Sequence, residues 1–285
     1  MDSFIFFNGK ITLLSKTFIP VNDRGFLYGD GFFETLRSYK DNFYDFDFHY
    51  KRLVKTAKFL NIKVDYSKDY ILEKIKELQK ENGLEGRDCY CRITITRGKD
   101  PHGPSIKKEH QPNVVIEVKL LPQYVVDKAE KGVHATILFS FKKEKNILYN
   151  YKTINYLPSI IGFLNRKSYD DVIFLDKYNN LIEGITANLF FYKGKVLYTS
   201  NEDDLFLKGV TREILIRAIK KYSEEKFTVR YRNFKFNDLK KIDGAFFTNS
   251  LSGIYPILSI EDFKLQHRPN IISKLKNLYF RFLTE

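Results

Sequence analysis

Two residues near the middle of the chain have side chains suited to carbonyl chemistry. Lys152 lies in the run from Asn150 to Leu157, and Glu183 follows it 31 positions later. A lysine amine can form a Schiff base with an aldehyde cofactor, and a carboxylate can hold a pyridine nitrogen in its protonated form. Each residue also has an ordinary alternative, since most single lysines are surface charges and a carboxylate entering a strand is often an exposed edge charge.

Three further segments offer ligands for a phosphate. Gly209–Val210–Thr211 opens a helical pattern, and the N–H groups at a helix N-terminus bind anions, with the Thr211 hydroxyl as a further donor. Thr211 could equally be only the N-cap of that helix. The donors from 248 to 253 follow a strand pattern, where a plain polar turn is the alternative. Arg52 can clamp a phosphate with two hydrogen bonds or be a solvated helix charge.

Apolar spacing predicts the elements that must position these groups. Helices are predicted near 48–60, 68–79, 156–167, 211–222 and 271–282. Strands are predicted over 4–7, 10–14, 32–39, 89–97, 113–121, 133–141, 171–175, 189–192, 196–199, 228–231 and 244–248. A long surface loop is expected over 98–112. The order has no regular strand–helix–strand rhythm, which favours an α+β or mixed α/β architecture in two domains. We expect domains over 1–121 and 131–285, with a linker over 122–130.

The composition is that of a globular protein with a basic surplus. The 285 residues are 43% hydrophobic and 29% charged, with a formal net charge of +13. The basic residues are dispersed among acidic ones, and even the densest cluster, 142–145, contains a glutamate. We interpret these residues as a solvated basic surface. A remote alternative is that the protein is not an enzyme but a basic nucleic-acid-binding protein.

The cysteines and the apolar runs indicate the cellular location of the protein and argue against a metal site. Cys89 and Cys91 share one face of a predicted strand and have no nearby histidine, so we expect buried free thiols and no metal site. No apolar run is long enough to span a bilayer, and the first residues do not resemble a signal peptide. The expected location is the cytoplasm, with no membrane partner.

Six stretches, taken together, resemble the class IV aminotransferases, the fold-type IV enzymes that use pyridoxal 5'-phosphate. They occur in the family's order at 22–37, 49–53, 152–157, 183–188, 207–212 and 248–256. The resemblance implies a smaller N-terminal α/β domain and a larger C-terminal pseudo-barrel domain. It also implies a homodimer.

The same resemblance implies a role for individual residues. Lys152 matches the lysine that holds the cofactor as a Schiff base and then shuttles the substrate proton. Glu183 matches the carboxylate paired with the pyridine nitrogen. The matches to phosphate ligands are Arg52, Val210 through its backbone N–H, Thr211 and Ser250. The matches to residues around the ring are Tyr156 near the phenolic oxygen, Leu207 against the ring and Asn188 as a supporting residue.

Arg92 is the main candidate for a substrate ligand. It shares a strand face with Tyr90, and its guanidinium can hold a substrate carboxylate or form an internal ion pair. Phe33 and Leu251 complete the expected substrate set. Phe33 stands where D-amino acid transaminases have tyrosine, and 98–104 lacks their Arg-x-His carboxylate trap.

The family's reactions share a first step, so the cofactor residues alone do not separate them. We expect transfer of an amino group from an amino acid to a 2-oxo acid, because most of the family catalyses it and Arg92 with Tyr90 suits an ordinary amino acid. The competing expectation is a 4-amino-4-deoxychorismate lyase that yields 4-aminobenzoate and pyruvate. The stretches 32–37 and 248–250 look more like that branch of the family.

Overall fold

The computed structural model describes residues 2–99, 103, 105–106, 110–200, 203–266 and 268–285. The chain forms two compact units, and neither is continuous in sequence. The first contains Met1–Pro122 and Tyr151–Asn155, and the second contains Gln123–Asn150 and Tyr156–Glu285. The predicted surface loop over 98–112, with its 98–104 stretch, lies largely outside the described residues.

The first unit is one antiparallel sheet with two long helices packed on it. Its strands are β1 (Phe4–Phe7), β2 (Lys10–Leu13), β3 (Gly31–Arg37), β4 (Cys89–Thr96) and β5 (Asn113–Leu120). Its helices are α1 (Arg24–Tyr28), α2 (Phe46–Leu60) and α3 (Lys68–Glu81). The strand order is β2-β1-β5-β4-β3, so β3 is an edge strand.

Strand β4 shows why this sheet has one apolar face. Cys89, Cys91, Ile93 and Ile95 are at most 1% exposed and belong to the core that α2 and α3 cover. The residues between them are half-buried on the opposite face, as strict alternation along a strand requires. The predicted burial of both free thiols is confirmed.

The second unit is built around a larger sheet. Its strands are β6 (Val133–Lys143), β7 (Asp171–Asp176), β8 (Leu181–Gly184), β9 (Asn188–Lys193), β10 (Val196–Thr199), β11 (Thr228–Tyr231), β12 (Gly244–Asn249), β13 (Gly253–Ile260) and β14 (Phe263–Lys264). Its helices are α4 (Gln123–Lys131), α5 (Leu157–Asn165), α6 (Val210–Lys221) and α7 (Pro269–Thr284). The order is β11-β10-β9-β12-β13-β6-β7-β8, and β8 also pairs with β9. That last pairing closes six strands into a ring.

Five of these helices and strands were absent from the predicted ranges, namely α1, α4, β8, β13 and β14. The short helix α1 lies where a turn was expected, and α4 occupies the residues assigned to the linker. Strand β13 was not predicted, and it contains Pro256, a residue unfavourable inside a sheet, which pairs with Phe246 of β12. The division into domains at 122–130 stays a prediction. Within the described ranges, no helix combines the length and apolar character needed to cross a membrane.

Candidate active site

The predicted site residues are divided between the two compact units. The first unit contains Phe33, Arg52, Tyr90, Arg92 and Lys152. The second contains Tyr156, Glu183, Asn188, Leu207, Val210, Thr211, Ser250 and Leu251. In each unit, several of them contact polar residues to which the sequence analysis gave no role.

Lys152 is held against the edge strand β3 by main-chain hydrogen bonds. The backbone N–H of Phe33 donates to the Lys152 carbonyl over 2.9 Å. Two residues on, the N–H of Ile154 donates to the Gly31 carbonyl over 3.1 Å. A Cβ on Gly31 would lie 2.5 Å from the Ile95 carbonyl oxygen of β4 and 3.0 Å from Cδ1 of Ile154, so glycine permits the close approach on both sides. The half-buried Lys152 side chain then lies with its Nζ 4.3 Å from the centroid of the Phe33 ring.

Arg92 contacts the same aromatic ring. Its guanidinium carbon is 3.9 Å from the centroid of Phe33, and its Nε donates to Oγ1 of Thr94 over 3.1 Å. Among the described residues, no carboxylate forms an ion pair with Arg92, and its partners include the Phe33 ring and the hydroxyls of Thr94 and Tyr90. Burial raises the pKa of Tyr90 on the same strand face, and Arg92 offsets part of that rise. Phe33 therefore contacts both a candidate base and a candidate carboxylate ligand.

Arg52 forms a bidentate ion pair with Glu34, a residue that the sequence analysis left without a role. Nε and Nη2 of Arg52 donate to Oε1 and Oε2 of Glu34, each over 2.7 Å. The Nδ1 atom of His49 lies 2.7 Å from the same Oε2. The interpretation of Arg52 as a solvated helix charge is therefore wrong, since its side chain is 12% exposed. The available signal was a carboxylate in the mostly apolar run from Phe32 to Leu36.

Glu183, the predicted partner of the pyridine nitrogen, pairs with Lys143. The Lys143 ammonium donates to Oε1 of Glu183, and the two side chains are 6% and 12% exposed. The rings of Tyr149 and Phe174 lie 4.0 Å and 5.4 Å from the same ammonium nitrogen. Interpreting 142–145 as solvated surface is therefore wrong for Lys143. Nothing in the local sequence distinguishes this lysine from its exposed neighbours.

Asn188 links Glu183 to the other polar groups of the second unit. It pairs with Glu183 across β8 and β9, and with Thr248 across β9 and β12. Residues directly opposite each other on antiparallel strands point to the same face, so these three side chains form a row. The Asn188 amide donates to the Leu207 carbonyl over 2.8 Å, and its Oδ1 accepts the N–H of Gly209 over 2.7 Å. Asn188 thus fixes the start of α6 beside the row.

The start of α6 has the features of an anion site. Gly209 is the N-cap, without a side-chain capping bond, and Val210 and Thr211 are the first helical residues. The interpretation of Thr211 as the N-cap is therefore wrong. Its Oγ1 is buried and has no hydrogen-bond partner in the described part of the chain. A buried hydroxyl in this state carries a free-energy cost unless a ligand satisfies it.

The turn from β12 to β13 adds a second set of donors. Oδ1 of Asn249 accepts the N–H of Leu251 over 3.1 Å and that of Ser252 over 2.7 Å, which shapes the turn around Ser250. Just before it, the Oγ1 of Thr248 is buried, again with no hydrogen-bond partner among the residues described. The plain polar turn proposed as an alternative is thus a structured turn next to a buried hydroxyl.

The second unit therefore fits a phosphate-bearing cofactor on its own chemistry. Thr211 and Thr248 present hydroxyls that no described residue of the chain hydrogen-bonds, and the N-terminus of α6 favours negative charge. Tyr156 immediately precedes α5, and Leu207 is half-buried just before α6. The residues described include no group of three or more His, Cys, Asp or Glu side chains that could hold a metal ion.

The sequence model of the family described as amino-transferase class IV matches residues 31–260. The chain belongs to this family. It is therefore an enzyme of fold type IV, and its cofactor is pyridoxal phosphate.

Individual relatives cover almost the whole chain. A protein from Methanocaldococcus jannaschii, provisionally named as a branched-chain-amino-acid aminotransferase, is 29% identical over 96% of this chain and 94% of its own. The aminodeoxychorismate lyase of Bacillus subtilis is 30% identical over 90% of this chain and 87% of its own. The structure of a branched-chain aminotransferase from Thermoproteus uzoniensis with norvaline superposes with a TM-score of 0.87, at 25% identity, covering 100% and 96% of the two chains.

Proposed function

We propose that this enzyme transfers an amino group from an amino acid to a 2-oxo acid, with Lys152 as the residue that binds the cofactor and moves the proton. One observation carries the proposal: Nζ of Lys152 and the guanidinium carbon of Arg92 both lie over the Phe33 ring, at 4.3 Å and 3.9 Å from its centroid. A base for the substrate carbon and a ligand for the substrate carboxylate are thereby held at one side chain.

Lys152 would hold pyridoxal phosphate until the substrate amine takes its place, and the cofactor would then supply a ring that withdraws electrons from the reacting substrate carbon. Lys152 accepts the proton and returns it, and its two flanking backbone hydrogen bonds to β3 keep the amine in place. Glu183 holds the pyridine nitrogen. Its ion pair with Lys143 supports this role, because a neighbouring cation favours the carboxylate form.

The remaining cofactor residues bind the phosphate and frame the ring. Arg52, the hydroxyls of Thr211 and Ser250 and the N–H of Val210 bind the phosphate. Tyr156, Leu207 and Asn188 frame the ring. The Thr211 hydroxyl, which has no hydrogen-bond partner within the described ranges, and the N-terminus of α6 support the phosphate assignment.

Arg92 binds the substrate carboxylate, with Tyr90, Phe33 and Leu251 as the other substrate residues. No described carboxylate is paired with the Arg92 guanidinium, which can therefore donate two hydrogen bonds to the carboxylate of a bound substrate. The names of the Methanocaldococcus and Thermoproteus relatives, both for branched-chain amino acids, support an amino acid as the donor.

A second candidate is 4-amino-4-deoxychorismate lyase, with 4-aminobenzoate and pyruvate as products. The 30% identity with the lyase of Bacillus subtilis over most of both chains favours it. Removal of the substrate proton by Lys152 serves both reactions. A lyase needs no 2-oxo acid as amino acceptor, so the requirement for an acceptor separates the two.

The deciding experiment is a screen of separate half-reactions with purified protein. L-amino acids, D-amino acids, aromatic amines and aminodeoxychorismate are added one at a time while the cofactor spectrum and the products are followed. Transamination predicts a spectral change with an amino acid that a 2-oxo acid reverses. Release of pyruvate and 4-aminobenzoate without an added 2-oxo acid would contradict transamination and would identify the enzyme as a lyase.

The role of Lys152 has its own test. Lys152→Ala should abolish both turnover and borohydride trapping of the cofactor, whereas Lys76→Ala on the exposed face of α3 should preserve both. Trapping that persists in Lys152→Ala would refute the assignment of this lysine.

In this proposal the active enzyme is a homodimer, and it is located in the cytoplasm. The segment 18–28 of the first unit supports self-association, because Phe18, Val21 and Phe26 are 78%, 80% and 73% exposed. Light scattering should give twice the mass of one chain. A Phe26→Ser variant at half that mass would identify this segment as the interface, and a wild-type monomer would contradict the dimer.

A further inference from the structure

Four ionisable side chains form a continuous chain inside the first unit. Glu34 lies on β3, His49 and Arg52 lie one turn apart on α2, and Asp45 immediately precedes that helix. His49 connects the two acids: its Nε2 is 3.5 Å from Oδ2 of Asp45, and its Nδ1 is 2.7 Å from Oε2 of Glu34. Glu34 in turn accepts both hydrogen bonds of the Arg52 guanidinium, each over 2.7 Å.

The chain runs from the core towards the solvent. Glu34 lies between Phe32 and Leu36 on the same face of β3, and both of those residues belong to the apolar core. The side chains of Glu34 and His49 are each 1% exposed, whereas that of Arg52 is 12% exposed. Arg52 is therefore the member of the chain that a ligand reaches first.

Fold stability alone gives no reason for such a cluster. Removing charges from water costs so much that apolar residues of similar volume are often as stabilising as a buried ion pair. The cluster does fix orientation, since a bidentate contact sets both the position and the plane of a guanidinium. The cluster thus sets the direction in which the remaining N–H groups of the Arg52 guanidinium point.

The pKa values of both internal members are shifted in the direction that favours their charged forms. Burial raises the pKa of Glu34, but Arg52 and then His49 outweigh burial and lower that pKa to about 2. Burial lowers the pKa of His49, but the carboxylates of Asp45 and Glu34 outweigh it and raise that pKa above its ordinary value. When His49 is protonated, one buried carboxylate is shared by two cations.

We propose that Asp45, His49 and Glu34 position the Arg52 guanidinium for the cofactor phosphate, and that the positive charge of His49 strengthens phosphate binding. The inference rests on the proposed phosphate role of Arg52. The charged groups that face His49 are Asp45 and Glu34, with Arg52 beyond Glu34. When His49 loses its proton, Glu34 neutralises Arg52 more completely, and the attraction felt by a phosphate falls.

The test compares two ligands of the apoenzyme, pyridoxal phosphate and pyridoxal. Both react with the same lysine, so any pH dependence of that reaction cancels in the ratio of their Kd values. The ratio Kd(pyridoxal)/Kd(pyridoxal phosphate) reports the contribution of the phosphate alone. In the wild type it should fall as the pH rises from about 6.5, the ordinary pKa of histidine, to about 9.

Two variants test the positioning role. Glu34→Gln removes the contact that orients Arg52 and also a neutralising negative charge. If positioning dominates, the ratio should fall by about tenfold, as when an orienting partner of a metal ligand is lost, and a rise in the ratio would contradict the positioning role. His49→Gln should lower it as well and make it independent of pH over the same range. Asp88→Asn is the matched control, because Asp88 forms a 2.7 Å ion pair with Arg37 of the same strand β3. It should leave both the ratio and its pH dependence unchanged.

The outcomes separate this inference from the proposed function. A wild type that binds pyridoxal phosphate no better than pyridoxal, with no borohydride trapping, would defeat the proposed function. A wild type that does bind and trap the cofactor, with a ratio unaltered in His49→Gln, would overturn the positioning role alone. If Glu34→Gln does not fold, the His49→Gln variant and the wild-type pH series still test the positioning role.

Discussion

The ammonium of Lys143 on β6 forms an ion pair with the carboxylate of Glu183 on β8, forty residues further along the chain. Neither charge is well solvated, because the two side chains are 6% and 12% exposed. The rings of Tyr149 and Phe174 flank the ammonium and add a cation–π contact. Each charge therefore depends on protein partners for its compensation.

Replacing Lys143 should destabilise the protein strongly. Lys143→Met keeps the length of the side chain but leaves the Glu183 carboxylate without its ammonium partner, which should lower the free energy of unfolding by about 3 kcal/mol. Urea denaturation measures it. Lys142→Met, at the exposed neighbouring position of β6, should change the free energy by about 0.5 kcal/mol or less. Equal effects of the two substitutions would contradict the buried pair.

Thr211→Val should weaken cofactor binding without lowering the stability of the apoprotein. The substitution removes a buried hydroxyl that has no partner in the described residues, so the apoprotein should keep its stability or gain slightly. The Kd of pyridoxal phosphate should rise about tenfold, the equivalent of about 1.4 kcal/mol.

The control for Thr211 is Thr199→Val. Thr199 is also buried, but its hydroxyl donates to the Leu189 carbonyl over 2.9 Å. This variant should lose about 1 kcal/mol of stability and keep its cofactor affinity. A large loss of apoprotein stability in Thr211→Val would show that the hydroxyl serves the fold instead.

Arg92→Gln should raise KM for carboxylate-bearing substrates by about tenfold or more, since a charge-assisted bidentate contact is lost. An aromatic amine without a carboxylate serves as the internal control, because its KM should stay the same. Steady-state kinetics with both donors give the comparison. A parallel loss for both donors would indicate that Arg92 supports the fold around Phe33 and does not bind substrate.

Stability should depend on the protonation of His49. The pKa of His49 is raised in the folded protein, so the stability it contributes is complete below about pH 6.5 and is lost as the pH rises through the folded-state value. The free energy of unfolding should therefore fall from pH 6.5 towards pH 9. His49→Gln should reduce that slope, whereas His134→Gln, at an exposed position of β6, should preserve it. Identical slopes in all three proteins would count against a charged His49.

Local patterns were sufficient for most of the elements. The alternation in β4 and the helical spacing of α2, α3 and α6 depend on neighbours within a few residues, so the sequence displays them directly. Strand β13 shows the limit of that approach, because pairing with β12 and β6 overrides the local effect of Pro256.

By itself, the sequence determined the family, the cofactor and the identity of residues such as Lys152 and Glu183 whose side chains can do the chemistry. Only the tertiary structure decided their partners: Lys143 for Glu183, Glu34 and His49 for Arg52, and Phe33 for both Lys152 and Arg92. The physical reason is that strand register and helix packing bring together residues from distant parts of the chain. Whether a charge is buried, and which group compensates it, depends on those long-range contacts.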